Sequence, residues 1–272
     1  MSQWLTLFNK EILEMWRNFK WIWFPISFIL LGVMDPLTTY YMPQIIDAMG
    51  GLPDGAVIEI PVPAAPEVLF MSLSQYNTLG ILIVVLAAMG MISGERKSGV
   101  AELILVKPVS YFSYITAKWT SALVLLWISY FIGYLTSWYY VMILFEKVPF
   151  ANFLSTFFLY GLYLSFALTI TVFVNTMFTS PGMVGFVSMA CVIVLSIVTG
   201  LLSQWMEWSP AQLLSYSSKL LQSDTLPEGA MGASVTTIVG AILLIGLASI
   251  KKEGIIILNK NSLLLVGVNR MV

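Results

Sequence analysis

The sequence predicts an all-α integral membrane protein: six transmembrane helices, an amphipathic helix before the first, and one structured loop after the second. Three observations predict it. The chain of 272 residues is 58% apolar and only 10% charged, with a mean hydropathy of +0.88; soluble domains run near about 45–50% apolar and about 25% charged. Six stretches approach the roughly 20 helical residues that a hydrocarbon core of about 30 Å requires. The basic residues then sort to one side of the membrane once those six are placed.

Residues 1–20 form the amphipathic element. At a helical repeat, Trp4, Leu5, Phe8, Ile12, Met15, Trp16 and Phe19 share one arc, with Lys10, Glu14 and Arg17 opposite. Such a helix lies in the interface plane and leads into the first span as an elbow. The spans are read at 21–41, 70–92, 119–145, 152–178, 183–203 and 234–250. The second is the most polar, because its purely apolar part covers only residues 79–92. Its lead-in of Ser72, Ser74, Gln75, Asn77 and Thr78 should face protein or water. Gly90 and Gly94 stand in a Gly-x-x-x-Gly spacing, and Gly240 and Gly246 lie in the last span; close helix packing is the expected use of all four.

With the N-terminus inside, every Lys and Arg except Lys147 and Lys219 is cytoplasmic. Both termini are then inside. Residues 43–69 become an acidic, proline-rich outer loop, expected to be extended and solvated. Residues 204–233 become an outer segment in which 211–222 form a short helix dipping toward the bilayer. The tail 251–272 fits either a small β-hairpin or an interfacial extension.

Absences narrow the chemistry. The chain has no His and one Cys, Cys191, so neither a thiolate metal site nor a His-based relay is available. No P-loop occurs, so ATP cannot be held that way. No catalytic residues, no cofactor and no metal are expected, and an intramembrane enzyme would need facing catalytic side chains that the spans lack. Asp35, followed by Pro36, is the single acid within a span. It reads either as a substrate or cation contact or as the kinked end of a helix. Asn175, near the cytoplasmic end of the fourth span, reads as an interhelical cap or as a lining residue of a path. With Asn77 these are the candidate path residues.

The loop 93–118, "SGERKSGVAELILVKPVSYFSYITAK", is longer than a turn requires. The interior reads as a helix in which Val100, Leu103, Ile104 and Val106 are apolar and Glu95, Arg96, Lys97 and Glu102 are charged, and Pro108 closes the run. A lateral helix at roughly 95–107, presenting both charge signs to the cytosol, suits docking to a protein partner.

Residues 94–119 resemble the signature region of ABC-2 type permeases, the membrane subunits of type V ABC transporters. The matching positions are Glu95, Gly99, Glu102-Leu103, Pro108-Val109-Ser110 and Lys118. Two departures stand out: Val100 where Thr is common, and Tyr111 where Arg is common. The elbow with Lys10-Glu11, the six spans and Ser209-Pro210 before the last span extend the likeness to nearly the whole chain. The resemblance implies a coupling helix that rests on a separate ABC ATPase subunit, which would hydrolyse the ATP. Glu95, Arg96, Gly99, Glu102 and Pro108 would make or shape that contact, supported by Lys10 and Glu11. It implies an exporter working as a dimer with a second copy or a paralogous permease in the bacterial plasma membrane, in contact with lipid and not with nucleic acid. The competing reading is a non-transporting scaffold or sensor that docks a cytoplasmic regulator through the same loop.

Overall fold

A computed structural model describes the chain except residues 1–2, 49–62, 102–108, 224 and 269–272, and without the side chains of residues 47 and 251–268. All regular structure among the described residues is helical. Among the described residues, six helical segments are long and apolar enough to cross a membrane. In chain order the elements are α1 (Gln3–Arg17), α2 (Lys20–Ala48), α3 (Ala65–Gln75), a π-helical turn (Tyr76–Gly80), α4 (Ile81–Ala88), α5 (Ser93–Lys97), α6 (Tyr111–Leu144), α7 (Phe150–Met177), α8 (Pro181–Leu201), α9 (Gln212–Ser223) and α10 (Ala230–Val268).

The second span is composite. Residues 65–97 are built from α3, the π turn, α4 and α5, with non-helical turns at 89–92. Its uniform reading as 70–92 is therefore corrected at both ends and in the middle. The first span also runs on. Asp35-Pro36 is not a helix end, because α2 continues to Ala48 with Pro25, Pro36 and Pro43 inside it. Residues 43–48 and 65–69, expected in a loop, are helical; residues 49–62 lie outside the described part. The third span begins at Tyr111 rather than at 119. Ser110 is its N-cap, and its hydroxyl accepts from Ser113 N at 3.2 Å. A serine in extended backbone that takes a free first-turn N–H is a strong start signal. The tail is not a hairpin, since α10 stays helical to Val268.

α7 is the hub. It packs against α4, α6, α8, α9 and α10. The largest helix contact is α2 with α6. A Cβ on Gly32 would come within 2.3 Å of Gly133 O, and one on Gly133 within 2.6 Å of Phe28 O. Two glycines thus let these backbones touch, and the Tyr76 hydroxyl fills the crossing by donating to Phe28 O at 2.9 Å. Gly90, Gly94 and Gly246 face open space within the chain, and only Gly240 meets a neighbour, the Phe166 ring. The expected packing role of the Gly-x-x-x-Gly pair is thus not met here: spacing alone does not say which face a neighbour covers.

From that crossing, Tyr76 meets Tyr130 edge-on, and Tyr130, Phe157 and Phe153 continue as a ring stack through the core. At the end away from α1, α9 buries Leu213, Tyr216, Leu220 and Leu221 against α7 and α3. The segment leading into it is pinned by Thr199 Oγ1 to Ser209 Oγ at 2.6 Å and Tyr216 OH to Glu207 O at 2.9 Å.

Candidate functional site: a buried ionic cluster at the elbow end

α1 joins α2 through a corner at Asn18–Phe19, where Phe19 takes a left-handed φ of 56°. That conformation costs a bulky residue about 1–2 kcal/mol, so the corner must be held by contacts on both sides. The apolar arc of α1 divides its work. Met15 is buried and Ile12 packs on the core, while Leu5, Trp16 and Phe19 stay exposed. The same helix sinks a charge: Glu11 is 5% exposed, on a face turned toward α6.

Lys118 explains why that burial is tolerated. It lies two turns into α6, is 1% exposed, and donates to both Glu11 oxygens at 2.9 Å. Its ammonium also stands 3.0 Å from Glu95 Oε1 and over the Tyr114 ring, 5.2 Å from the centroid. A carboxylate and an ammonium removed from water require each other, and the ring face adds to the attraction.

Glu95 is the junction. It sits on α5, 8% exposed, and takes Lys10 Nζ at 2.6 Å and the Tyr114 hydroxyl at 2.5 Å. Lys10 also reaches Glu11 and Glu14, each at 3.0 Å. Partial burial alone would lower the Lys10 pKa. The Glu95 hydrogen bond and the Glu11 charge outweigh it, so the pKa stands above the ordinary lysine value and the group stays charged. The Glu11, Glu14 and Glu95 carboxylates come within 4.8 Å of one another. A cation could meet that donor set, but Lys10 and Lys118 already stand between the oxygens.

α5 is also tied to the opposite side of the bundle. Arg96 Nη1 donates to Thr176 O at 3.1 Å. Asn175, fully buried, accepts from Ser93 N at 3.1 Å through Oδ1 and donates from Nδ2 to Ala88 O at 2.9 Å and Thr171 O at 3.1 Å. One amide therefore satisfies backbone groups on both sides of the break at 89–92. Lys20 serves the adjacent carbonyl, Ala87 O, at 2.8 Å. After Lys97 the chain turns at Ser98–Gly99, with Gly99 at φ 76°, and helix resumes at Val100. The continuous helix expected from residue 95 is interrupted there. Glu102 and Pro108 lie outside the described residues.

The sequence thus marked Lys10, Glu11, Glu95, Arg96 and Lys118, and the structure brings Lys10, Glu11, Glu95 and Lys118 into one cluster with Arg96 beside it. It did not mark Tyr114, whose hydroxyl closes the cluster, and it named Ser110 as a motif position without its role as the cap of α6. The Ser-x-x-Ser spacing after Pro108 was the available signal for Ser110. The three candidate path residues do not form a group. Asn175 spends its amide on backbone at the elbow end. Asp35 borders a shallow cleft with Glu67, Gln75 and Ser218, near α9. Among the described residues its Oδ2 and the Asn77 Oδ1 meet no hydrogen-bond partner, and Asn77 lies in the π turn.

Comparison with known proteins adds two matches. The model of the ABC-2 family transporter proteins covers residues 5–221. An uncharacterized transmembrane protein of Bacillus subtilis (strain 168), YxlG, is 34% identical over 250 residues, covering 92% of this chain and 96% of the relative.

Proposed function

The chain belongs to the ABC-2 family of transporter proteins, and from that premise we propose that it is the permease subunit of an ATP-driven exporter whose ATPase is a separate polypeptide. The observation that carries the reading is the ionic cluster. α5 is attached to α4 only through the turns at 89–92, yet it is fastened sideways to α1, α6 and α7. A force applied to residues 96–101 would pass into three helices at once rather than into its own span. That is the arrangement an ATP-driven partner needs in order to move a bundle from one end.

In this mechanism Arg96, Lys97 and the segment from Gly99 through Glu102 to Pro108 meet the ATPase. Glu95 does not touch it. Its carboxylate faces inward and converts the push into a shift of the elbow helix and α6. Lys10 and Glu11 complete that link. With the basic residues inside, both termini and the cluster are cytoplasmic, in the plasma membrane of a bacterial cell. Two permease copies, or this chain and a paralogue, enclose the path. The outward cleft at Asp35 and the π turn at Asn77 supply its polar lining, and an uncharged or amphipathic cargo suits walls this poor in charge.

The test is a mild-detergent pull-down of the tagged full chain from its native membrane, with an ATPase assay on the eluate. A nucleotide-hydrolysing subunit should co-elute. It should be lost on reversing the exposed charge at the end of α5, Lys97→Glu. Recovery of a folded chain with no ATPase, or with a regulator lacking ATP hydrolysis, would overturn the exporter reading in favour of a docking scaffold.

A further inference from the structure

A cavity of about 280 Å³ lies at the elbow end, between α1, α2, the broken part of the second span, α6 and α7. Its walls are mostly apolar, with Phe24, Leu125 and Leu168 among them, and the one buried carboxylate that lines it, Glu11, has both oxygens held by Lys118. Its polar rim includes Glu14, Asn18 and Lys20. Glu14 and Asn18 also border an open groove with Arg17, so this rim is the side that faces out. The volume is at the small end for a ligand pocket. It suits one acyl chain, not a bulky cargo.

Two charges at the rim are incompletely used. Lys20 donates to Ala87 O, and among the described residues no carboxylate lies within 4.0 Å of it. Glu14 meets Lys10 through Oε2 alone. Trp23 lines the same cavity, and tryptophans beside a lysine mark headgroup depth. An apolar slot with an ammonium at its throat and a carboxylate at its lip, at that depth, has the polarity of a phospholipid whose headgroup carries a primary amine.

We propose that this cavity binds one phosphatidylethanolamine-type lipid from the leaflet bordering α1. The phosphate accepts from Lys20, the headgroup ammonium donates to Glu14, and one acyl chain fills the slot. The lipid then wedges α1 against the break at 89–92. The site stands whether or not the chain works as an exporter.

The test is native mass spectrometry of the full chain in detergent, titrated separately with phosphatidylethanolamine, phosphatidylcholine and phosphatidylglycerol. The amine lipid should form one adduct about tenfold tighter than either other lipid. Choline cannot donate a hydrogen bond, and glycerol carries no positive charge. Glu14→Gln should remove the preference over phosphatidylcholine, and Lys20→Gln should weaken the adduct about tenfold. Ala122→Phe, which fills the slot, should abolish it in a chain that still melts cooperatively. Should that variant fail to fold, the two rim variants decide. Equal binding of all three lipids, or an adduct unchanged by Glu14→Gln and Lys20→Gln, would mean annular lipid only and would overturn the proposal.

Discussion

Lys118 bears more of the structure than its place in a helix of 34 residues suggests. It is the shared partner of two carboxylates from two other elements, and all three groups are nearly sealed from water. Breaking a buried pair from one side typically costs about 3–5 kcal/mol, because the stranded charge remains. Lys118→Met should therefore destabilise the chain by an amount of that order, read as a loss of unfolding free energy in detergent. Glu11→Gln added to it should restore part of the loss, since one stranded carboxylate is then neutral. A Lys118→Met chain as stable as wild type would show that Glu11 and Glu95 are not held as described. The sequence marked these residues by their place in a motif, but not their arrangement. Glu11 and Lys118 are 107 positions apart, and no local pattern reports a pairing at that distance. The charge pattern of the loop suggested that Glu95 faces the cytosol. It turns inward because Lys10, Lys118 and Tyr114 together offer it more than solvent does.

Among the elements, the second span departs furthest from a hydropathy reading. Hydropathy sees an apolar run and cannot see that the regular helix stops at Ala88 and resumes at Ser93. Asn175 closes that gap. Asn175→Leu would leave Ser93 N buried without its partner, at about 1–3 kcal/mol, while Ala88 O would keep its bond from Met91 N at 3.1 Å. Hydrogen exchange at residues 89–93 should speed up in that variant more than anywhere in α7; unchanged protection there would contradict the clamp. The crossing of α2 and α6 gives a second element-scale prediction. Gly32→Ala places a methyl 2.3 Å from a backbone oxygen and should cost about 1–3 kcal/mol as overpacking. Gly90→Ala, in open space, should change stability by less than about 0.5 kcal/mol. Thermal unfolding of the two variants side by side checks both. The start of α6 was readable in principle from the Ser110 cap, but residues 111–118 are too polar and aromatic for a hydropathy window to include.

For the whole molecule, the six-span architecture was legible because apolar length and the sorting of lysines are global properties that survive errors at any boundary. The direction of the proposed force was not legible, because it depends on which contacts tie α5 sideways. Those ties fasten α5 to α1, α6 and α7 at the elbow end, with the turns at 89–92 as its covalent join to α4. The other end is pinned by α9 against α7 and α3, and under the proposed function the spans carry motion from one end to the other. The central claim is that a separate ATPase pushes on the segment after α5. The most direct measurement is cross-linking from that segment. Lys97→Cys, in a chain where Cys191 is replaced by Ser, would carry a short thiol-reactive photo-cross-linker in native membranes. The account predicts one dominant adduct, with a polypeptide that binds ATP, formed at different yields with and without nucleotide. Adducts only with lipid, or with a polypeptide that binds no nucleotide, would contradict it.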